Sequence, residues 1–216
     1  MPTRLRKRSL LNSRLYLVLD RDTCYQGKTV DVFRQVDKGA VDLVQLRANT
    51  APDREFLRDA ENIKRLAHRR GIIFIINNRL DIAQIVDADG VHLGQSDSPI
   101  KLARKILGED KIIGLSCHNL TQALKAQSEG ADYISIGPLF RTKTKPESKP
   151  IPPKFIKMID KRIGIPYFVI GGINRSNIGK VISYGAKRMA LCRAICCAKN
   201  IKKTSLDLRK FLKNKK

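Results

Sequence analysis

The chain is short of aromatic residues, of long apolar runs and of paired cysteine motifs, and each shortage removes a class of function. Aromatics make up only 6% of the 216 residues. They do not interleave with basic residues as a base-stacking surface requires, so no dedicated nucleic-acid partner is expected. No apolar run approaches the ~18 residues of a membrane-spanning helix. Segment 1–13 is basic and lacks the apolar core of a secretory signal. A cytoplasmic location without a membrane partner is expected. The five cysteines, Cys24, Cys117, Cys192, Cys196 and Cys197, are an odd number without a second C-x-x-C arm or a histidine pair. Reduced or buried thiols fit that pattern better than structural zinc.

Positive charge is abundant instead: 43 Lys and Arg against 20 Asp and Glu give a net +23. The charge is spread along the chain and clusters only at 4–8 and 213–216, where solvated terminal charge is common. Segments 1–13 and 213–216 therefore read as short basic extensions of one domain spanning 1–216. A field of this sign attracts phosphorylated small molecules, and gives nucleic acid only a salt-dependent, nonspecific hold.

One pattern recurs: a helical stretch, a small-residue stop, then a short apolar run. Lys38-Gly39-Ala40 precedes the run 41–46, and Asp87-Ala88-Asp89-Gly90 precedes 91–93. Gly130-Ala131-Asp132 precedes 133–136, and Gly185-Ala186-Lys187 precedes 188–191. Glycine accepts the left-handed conformation that ends a helix, and the apolar run behind it suits a strand buried on both faces. Runs at 15–19, 72–76, 112–115 and 167–170 bring the count to eight. Helical periodicity fills the gaps, most clearly at 53–69, where Phe56, Leu57, Ala60, Ile63, Leu66 and Ala67 share one face. Segments 29–38, 80–86, 100–107, 121–128, 153–159, 178–184 and 202–212 also fit helices. Such alternation suits a doubly wound sheet or a closed barrel. The count of eight favours an α/β chain folded as a single (β/α)8 TIM barrel.

The loops after the strand C-termini of such a barrel face the active site. Gln45 and Arg47 stand on alternate residues and point the same way. Asn77, Asn78 and Arg79 follow the third strand, and Gly94, Gln95 and Asp97 the fourth. Ser116 and His118 follow the fifth, and Gly137, Thr142, Thr144 and Lys145 the sixth. Gly171-Gly172 ends the seventh and Cys192-Arg193 the eighth. Scattered surface polarity does not collect at one rim in this way. The glycine pair admits an anion to backbone amides and, with a short helix after strand eight, resembles the phosphate site many barrels build there. The polar stretch 142–152 has the character of a mobile active-site loop.

Simpler local readings stand beside these. Asn77-Asn78 also fits a strand end capping the next helix, and Asp97 an N-cap for the helix near Pro99. In isolation, 142–145 is a solvated loop. His92 fits a packed core position, His118 either proton transfer or loop positioning, and Cys192 small-residue packing. Arg47 needs an anionic partner, because an unpaired buried charge is costly.

Taken in order, Gln45-Leu46-Arg47, Ile76-Asn77-Asn78-Arg79, Gly90-Val91-His92-Leu93-Gly94-Gln95-Ser96-Asp97, Ser116-Cys117-His118, Gly137-Pro138, Thr142-Lys143-Thr144-Lys145 and Gly171-Gly172-Ile173 resemble the motifs of the thiamine phosphate synthase family, from about 15 to 195. The resemblance implies a transferase of thiamine biosynthesis. It joins a hydroxymethylpyrimidine diphosphate to a thiazole phosphate and releases pyrophosphate, with Mg²⁺ as cofactor. By position, Gln45, Arg47, Asn49, Asn77 and Lys145 would hold the pyrimidine diphosphate, and Ser116 its ring. Thr142, Lys143, Thr144, Gly172, Cys192 and Arg193 would hold the thiazole phosphate. Arg47, Lys145 and Ser116 are the expected catalytic residues, with Asp97 and Asn78 facing the metal.

Asn49 stands where the family pattern has a lysine, and Asn78 where it has an aspartate. Loss of one cation and one anionic ligand predicts weakened activity; ~3 kcal/mol of transition-state stabilisation is roughly a hundredfold in rate. Two alternatives follow from the same departures: a thiazole tautomerase-like enzyme relying on His118, and a barrel that binds thiazole phosphate without turnover. A homo-oligomer is compatible with all three.

Overall fold

Side chains alternate between the two faces of every strand, and here the two faces meet different surroundings. The computed structural model describes residues 3–142 and 148–213. Its strands are β1 (Leu15–Asp20), β2 (Leu43–Arg47), β3 (Ile73–Asn77), β4 (Gly90–Leu93), β5 (Ile112–Cys117), β6 (Tyr133–Ile136), β7 (Tyr167–Ile170) and β8 (Met189–Leu191). All pair in parallel, in chain order, and β8 closes back on β1. The TIM barrel expected from eight alternations is the observed architecture. Helices α1 (Thr3–Asn12), α2 (Thr29–Gln35), α3 (Asp53–Arg70), α4 (Leu80–Ile85), α5 (Ile100–Leu107), α6 (Leu120–Ser128), α7 (Lys154–Arg162), α8 (Ile178–Ser183), α9 (Arg193–Cys196) and α10 (Ile201–Lys213), with a 3-10 turn at Tyr25–Gly27, make up the remaining regular structure among the described residues.

Outward-facing strand residues such as Leu17, Val44, Phe74, Val91, Ile113, Ile134 and Val169 pack with the helices into the main core. Inward-facing residues form a second, smaller cluster of Tyr16, Leu43, Ile73, Ile75, Ile112, Tyr133, Phe168 and Ala190. The interior is thus a packed layer, and Gly114 leaves room in it for the Tyr133 ring: a Cβ there would lie 2.1 Å from that ring.

The aspartates of the recurring stop explain why it recurs. Asp42, at the foot of β2, accepts hydrogen bonds from the backbone amides of Arg14 and Leu15 at the start of β1. Asp89 does the same for Phe74 in β3, and Asp132 for Ile113 in β5. Each carboxylate ties the foot of one strand to its neighbour, satisfying amides that would otherwise be buried without partners. The fourth copy carries Lys187 at this place, and it pairs with Asp160 instead.

Residues 3–12, read from sequence as part of a solvated extension, form helix α1. Its Leu10 is 2% exposed and joins the interior cluster beneath the barrel. Lys7 donates to the Glu109 carbonyl at 2.6 Å and pairs with Asp132 at 3.0 Å. Dense basic residues concealed an apolar anchor that only the barrel's open foot makes useful. At the other end, the segment expected from 213 begins inside helix α10, and 214–216 lie outside the described residues.

Because Leu10 fills space that nothing else occupies, Leu10→Ala is expected to lower unfolding free energy by about 2–3 kcal/mol. A urea titration showing no shift in midpoint would mean that α1 does not seal the barrel.

Candidate active site

Followed from foot to top, the inward positions change character. In β2 they read Leu43, Gln45, Arg47; in β3 Ile73, Ile75, Asn77; in β5 Ile112, Gly114, Ser116. The upper members, Gln45, Arg47, Asn77, Ser116 and Ser135, line a cavity of about 380 Å³ at the C-terminal ends of the strands. Thr142, Gly172, Cys192 and Arg193 complete its wall from the loops after β6, β7 and β8.

A hydrogen-bonded chain forms the cavity floor. Gln45 Nε2 donates to the Tyr16 hydroxyl at 2.6 Å, and Tyr16 and Tyr133 share a hydroxyl contact at 2.8 Å. Tyr133 meets His92 Nδ1 at 3.0 Å, and His92 Nε2 meets Ser116 Oγ at 2.9 Å. Ser135 Oγ lies 3.3 Å from both His92 Nε2 and Ser116 Oγ. Burial pushes both tyrosine hydroxyls well above the usual phenol range, so they stay neutral and act only as hydrogen-bonding links. His92 is packed as expected, its ring stacked on Tyr133 at 5.4 Å, yet it also carries the polar chain through the core.

Arg47 finds its anion in Asp20, at the end of β1: Nη1 donates to Oδ2 at 2.5 Å, and Asp20 is 1% exposed. Asp20 also accepts from the Asp22 amide at 3.0 Å. Sequence reasoning demanded such a partner without locating it, since adjacency of β1 and β2 is a fact of topology. Arg141 and Arg193 also line the cavity, and neither has an ion-pair partner among the described residues. Two unneutralised guanidiniums at one mouth favour a doubly charged anion.

The loops after β6 and β7 approach too closely for side chains. A Cβ on Gly171 would lie 2.4 Å from Pro138, and one on Gly172 2.7 Å from the Arg141 carbonyl; both residues have positive φ. Leu139 and Phe140 amides donate to the carbonyls of Ile170 and Gly171, and Asn177 Nδ2 donates to the Gly172 carbonyl at 2.9 Å. The glycine pair is therefore required for loop packing as well as for access to an anion. Past β8, Cys192 precedes the expected short helix α9 and caps it with no side-chain hydrogen bond, so its first amides have no intrahelical acceptor.

Three expected site residues do not line this cavity. Asn49 is exposed in the turn after β2. Asn78 and Asp97 sit just beyond the ends of the adjacent strands β3 and β4. Neither caps a helix: α4 has Arg79 at its N-cap position and α5 has Pro99. Asn78 adopts φ 49°, which asparagine tolerates better than most residues. The Asp97 carboxylate receives the Gly94 amide at 2.6 Å through Oδ2. Arg79 is committed to Asp81 and Asp53, which hold its guanidinium charged. His118 Nδ1 donates to the Gly137 carbonyl at 2.6 Å, which fixes the ring against the loop after β6. Lys143, Thr144 and Lys145 lie outside the described residues.

The profile described as "Thiamine monophosphate synthase" matches residues 15–195. The chain belongs to the thiamine monophosphate synthase family. A thiamine-phosphate synthase of Shouchella clausii is 40% identical over 196 residues, covering 90% of this chain and 94% of the relative. One of Methanosarcina barkeri is 42% identical over 200 residues, with 92% and 90% covered. Among solved structures, a thiamine phosphate pyrophosphorylase from Pyrococcus furiosus superposes with a TM-score of 0.85 at 33% identity, covering 96% of this chain and 97% of that one. Within the thiamine monophosphate synthase profile fall all the strands, the floor chain and the cavity lining, whereas α1 and α10 lie outside it.

Tyr133→Phe removes one link and leaves Tyr16 and His92 each short of a buried partner. It is expected to cost about 1–3 kcal/mol, read as a lower denaturation midpoint. An unchanged midpoint would show that the chain contributes nothing to stability.

Proposed function

We propose that the chain acts as a thiamine-phosphate synthase, joining the pyrimidine diphosphate to thiazole phosphate with release of pyrophosphate. The observation that carries this reading is the meeting of Gln45, Arg47, Asn77, Ser116, Thr142, Gly172, Cys192 and Arg193 around one cavity. In a chain of this family, that convergence supports two anion subsites flanking a neutral floor. Gln45 and Ser116, the two ends of the floor chain, hold the pyrimidine ring. Arg47 and Asn77 face the diphosphate, joined by Lys145. Thr142, Gly172, Cys192 and Arg193 hold the thiazole phosphate, and Arg141 adds a cation that sequence reading overlooked. Its signal was present, a basic residue directly before Thr142, but the loop's path was not legible.

Bond breaking of a dissociative kind moves negative charge onto the departing pyrophosphate, so catalysis consists mainly of placing cations there in advance. Asp20 holds the Arg47 guanidinium at a fixed angle and spares it reorganisation during the reaction. Gln45 and Ser116 fix the ring so that its methylene faces the thiazole nitrogen. The neutral tyrosines beneath offer no base to divert the reaction.

Among the described residues no cluster of three or more His, Cys, Asp or Glu is built to hold a metal alone. Mg²⁺ needs only one or two protein oxygens when substrate phosphates supply others. Asp97 through Oδ1 and Asn78 through its amide oxygen fit that requirement and would hold it, supplying charge neutralisation at the diphosphate. The uncharged Asn78 is expected to raise the Mg²⁺ concentration needed.

Product formation and pyrophosphate release are measured from both substrates across a Mg²⁺ titration, for wild type, Asn78→Asp and Arg47→Ala. Wild type is expected to turn over, Asn78→Asp to reach half-maximal rate at lower Mg²⁺, and Arg47→Ala to lose roughly a hundredfold in kcat/KM. No product from wild type or Asn78→Asp at any Mg²⁺ would overturn the synthase. Thiazole phosphate binding would then leave a binding-only barrel, and His118-dependent isomerisation a tautomerase.

A further inference from the structure

A second concavity, of about 500 Å³, lies on the flank of the barrel between α3 and α4. It follows the C-terminal ends of both helices, toward the foot, and shares no lining residue with the cavity at the top. Its two walls differ. On α3, Glu61, Arg65 and Arg69 succeed one another at one-turn intervals, and the facing wall at the end of α4 is Ile85 and Val86. Lys64 and His68 are already engaged, with Asp87 at 3.2 Å and Asp89 at 3.3 Å. Arg65 donates to the neutral Asn62 side chain at 2.6 Å, and neither Arg65 nor Arg69 has an ion-pair partner among the described residues. Ile85 is 66% exposed. Beside it, Gln84 Nε2 donates to the Ile106 carbonyl at 3.5 Å and brings α5 alongside. Leu102 and Ile106, one turn apart on α5, are exposed as well, next to exposed Lys101 and Lys105. Single exposed apolar residues are ordinary, but three on adjacent helices make a patch. Basic residues at a helix end often only offset its dipole, which accounts for Arg69 but not for Arg65 or the apolar ridge.

We propose that this face docks an acidic amphipathic helix of a partner protein, its apolar side on Ile85, Leu102 and Ile106 and its carboxylates on Arg65 and Arg69. A helix is about 10 Å across with its side chains, and it fills a furrow between two helices as helices do among themselves. Charge complementarity selects the acidic kind. Lys101 and Lys105 add to the attraction, while Glu61 repels carboxylates at the upper end of the groove and so fixes where the acidic run lies. An isologous contact between two copies of this chain would instead set like-charged arginines against one another. A bilayer is flat and leaves the groove unfilled. Nucleic acid finds no stacking platform among Ile85, Leu102 and Ile106.

The probe is a fluorescein-labelled synthetic peptide of about five helical turns, leucine along one face and glutamate along the other, with a scrambled peptide of the same composition beside it. Fluorescence anisotropy against the full chain is expected to show saturable one-to-one binding of the first peptide and none of the second. Arg65→Ala with Arg69→Ala, and separately Ile85→Asp, are each expected to weaken binding about tenfold. Lys157→Ala with Lys161→Ala removes the same charge from α7 and is expected to change binding by less than about twofold. Each substitution falls on an exposed side chain, and the comparison of the two peptides on the wild-type chain needs no variant. Equal binding of both peptides, or an equal loss from the α7 substitutions, would reduce the face to diffuse charge and overturn the proposal. So would the absence of any binding tighter than about 1 mM. A dimer in sedimentation that Ile85→Asp splits would assign the face to a second copy, and phosphatidylglycerol vesicles bound by wild type but not by Ile85→Asp would assign it to a membrane; either result overturns the partner helix.

Discussion

The floor of the cavity is set by the hydrogen-bonded chain that crosses the barrel interior from Gln45 to Ser116. Five polar side chains would be ruinous in a core if they were separate, since each unpaired group costs about 1–3 kcal/mol. Linked end to end, they satisfy one another and present their two termini to the cavity. Below the chain the interior is apolar; above it the walls turn polar. The chain is therefore both the lid of the core and the floor of the site, and the fold cannot lose it without disturbing both.

Electrostatics above the floor follow the same economy. Asp20 neutralises Arg47 where burial is deep, and Arg141 and Arg193 have no ion-pair partner among the described residues where water still reaches. A fully charged interior would resist folding, and a fully paired one would offer a phosphate nothing. The net charge of +23 reinforces this pattern at long range but is spread over the whole surface.

Strand count, the barrel fold and most of the cavity wall were legible in the sequence because each follows from local repeats. A glycine stop before an apolar run marks a strand wherever it lies, and alternation places Gln45 and Arg47 on one side. What escaped notice depends on contacts between distant residues. Tyr16, Tyr133 and Ser135 read as ordinary strand residues until closure of the barrel brings them together. Asp20 becomes Arg47's partner only through the β1–β2 register. Leu10 looked like part of a solvated arm because its neighbours are basic, and charge says little about one buried face of a helix. Asn78 and Asp97 were placed at the correct strand ends, and both helices begin where the periodicity put them, at Leu80 and Ile100, but the positions directly before those starts fall to Arg79 and Pro99.

Helix α1 and the apolar cluster above it close the foot of the barrel among the described residues. With Leu10, Leu43, Ile73 and Ile112 filling the foot, traffic runs through the top of the barrel. If the two substrates sit as proposed, the one seated on the floor enters before the one nearer the rim. In a condensation the fused product spans both positions, so it is held back by whichever end is slower to let go. Order of traffic is then a property of architecture, imposed at the face of the barrel farthest from the chemistry.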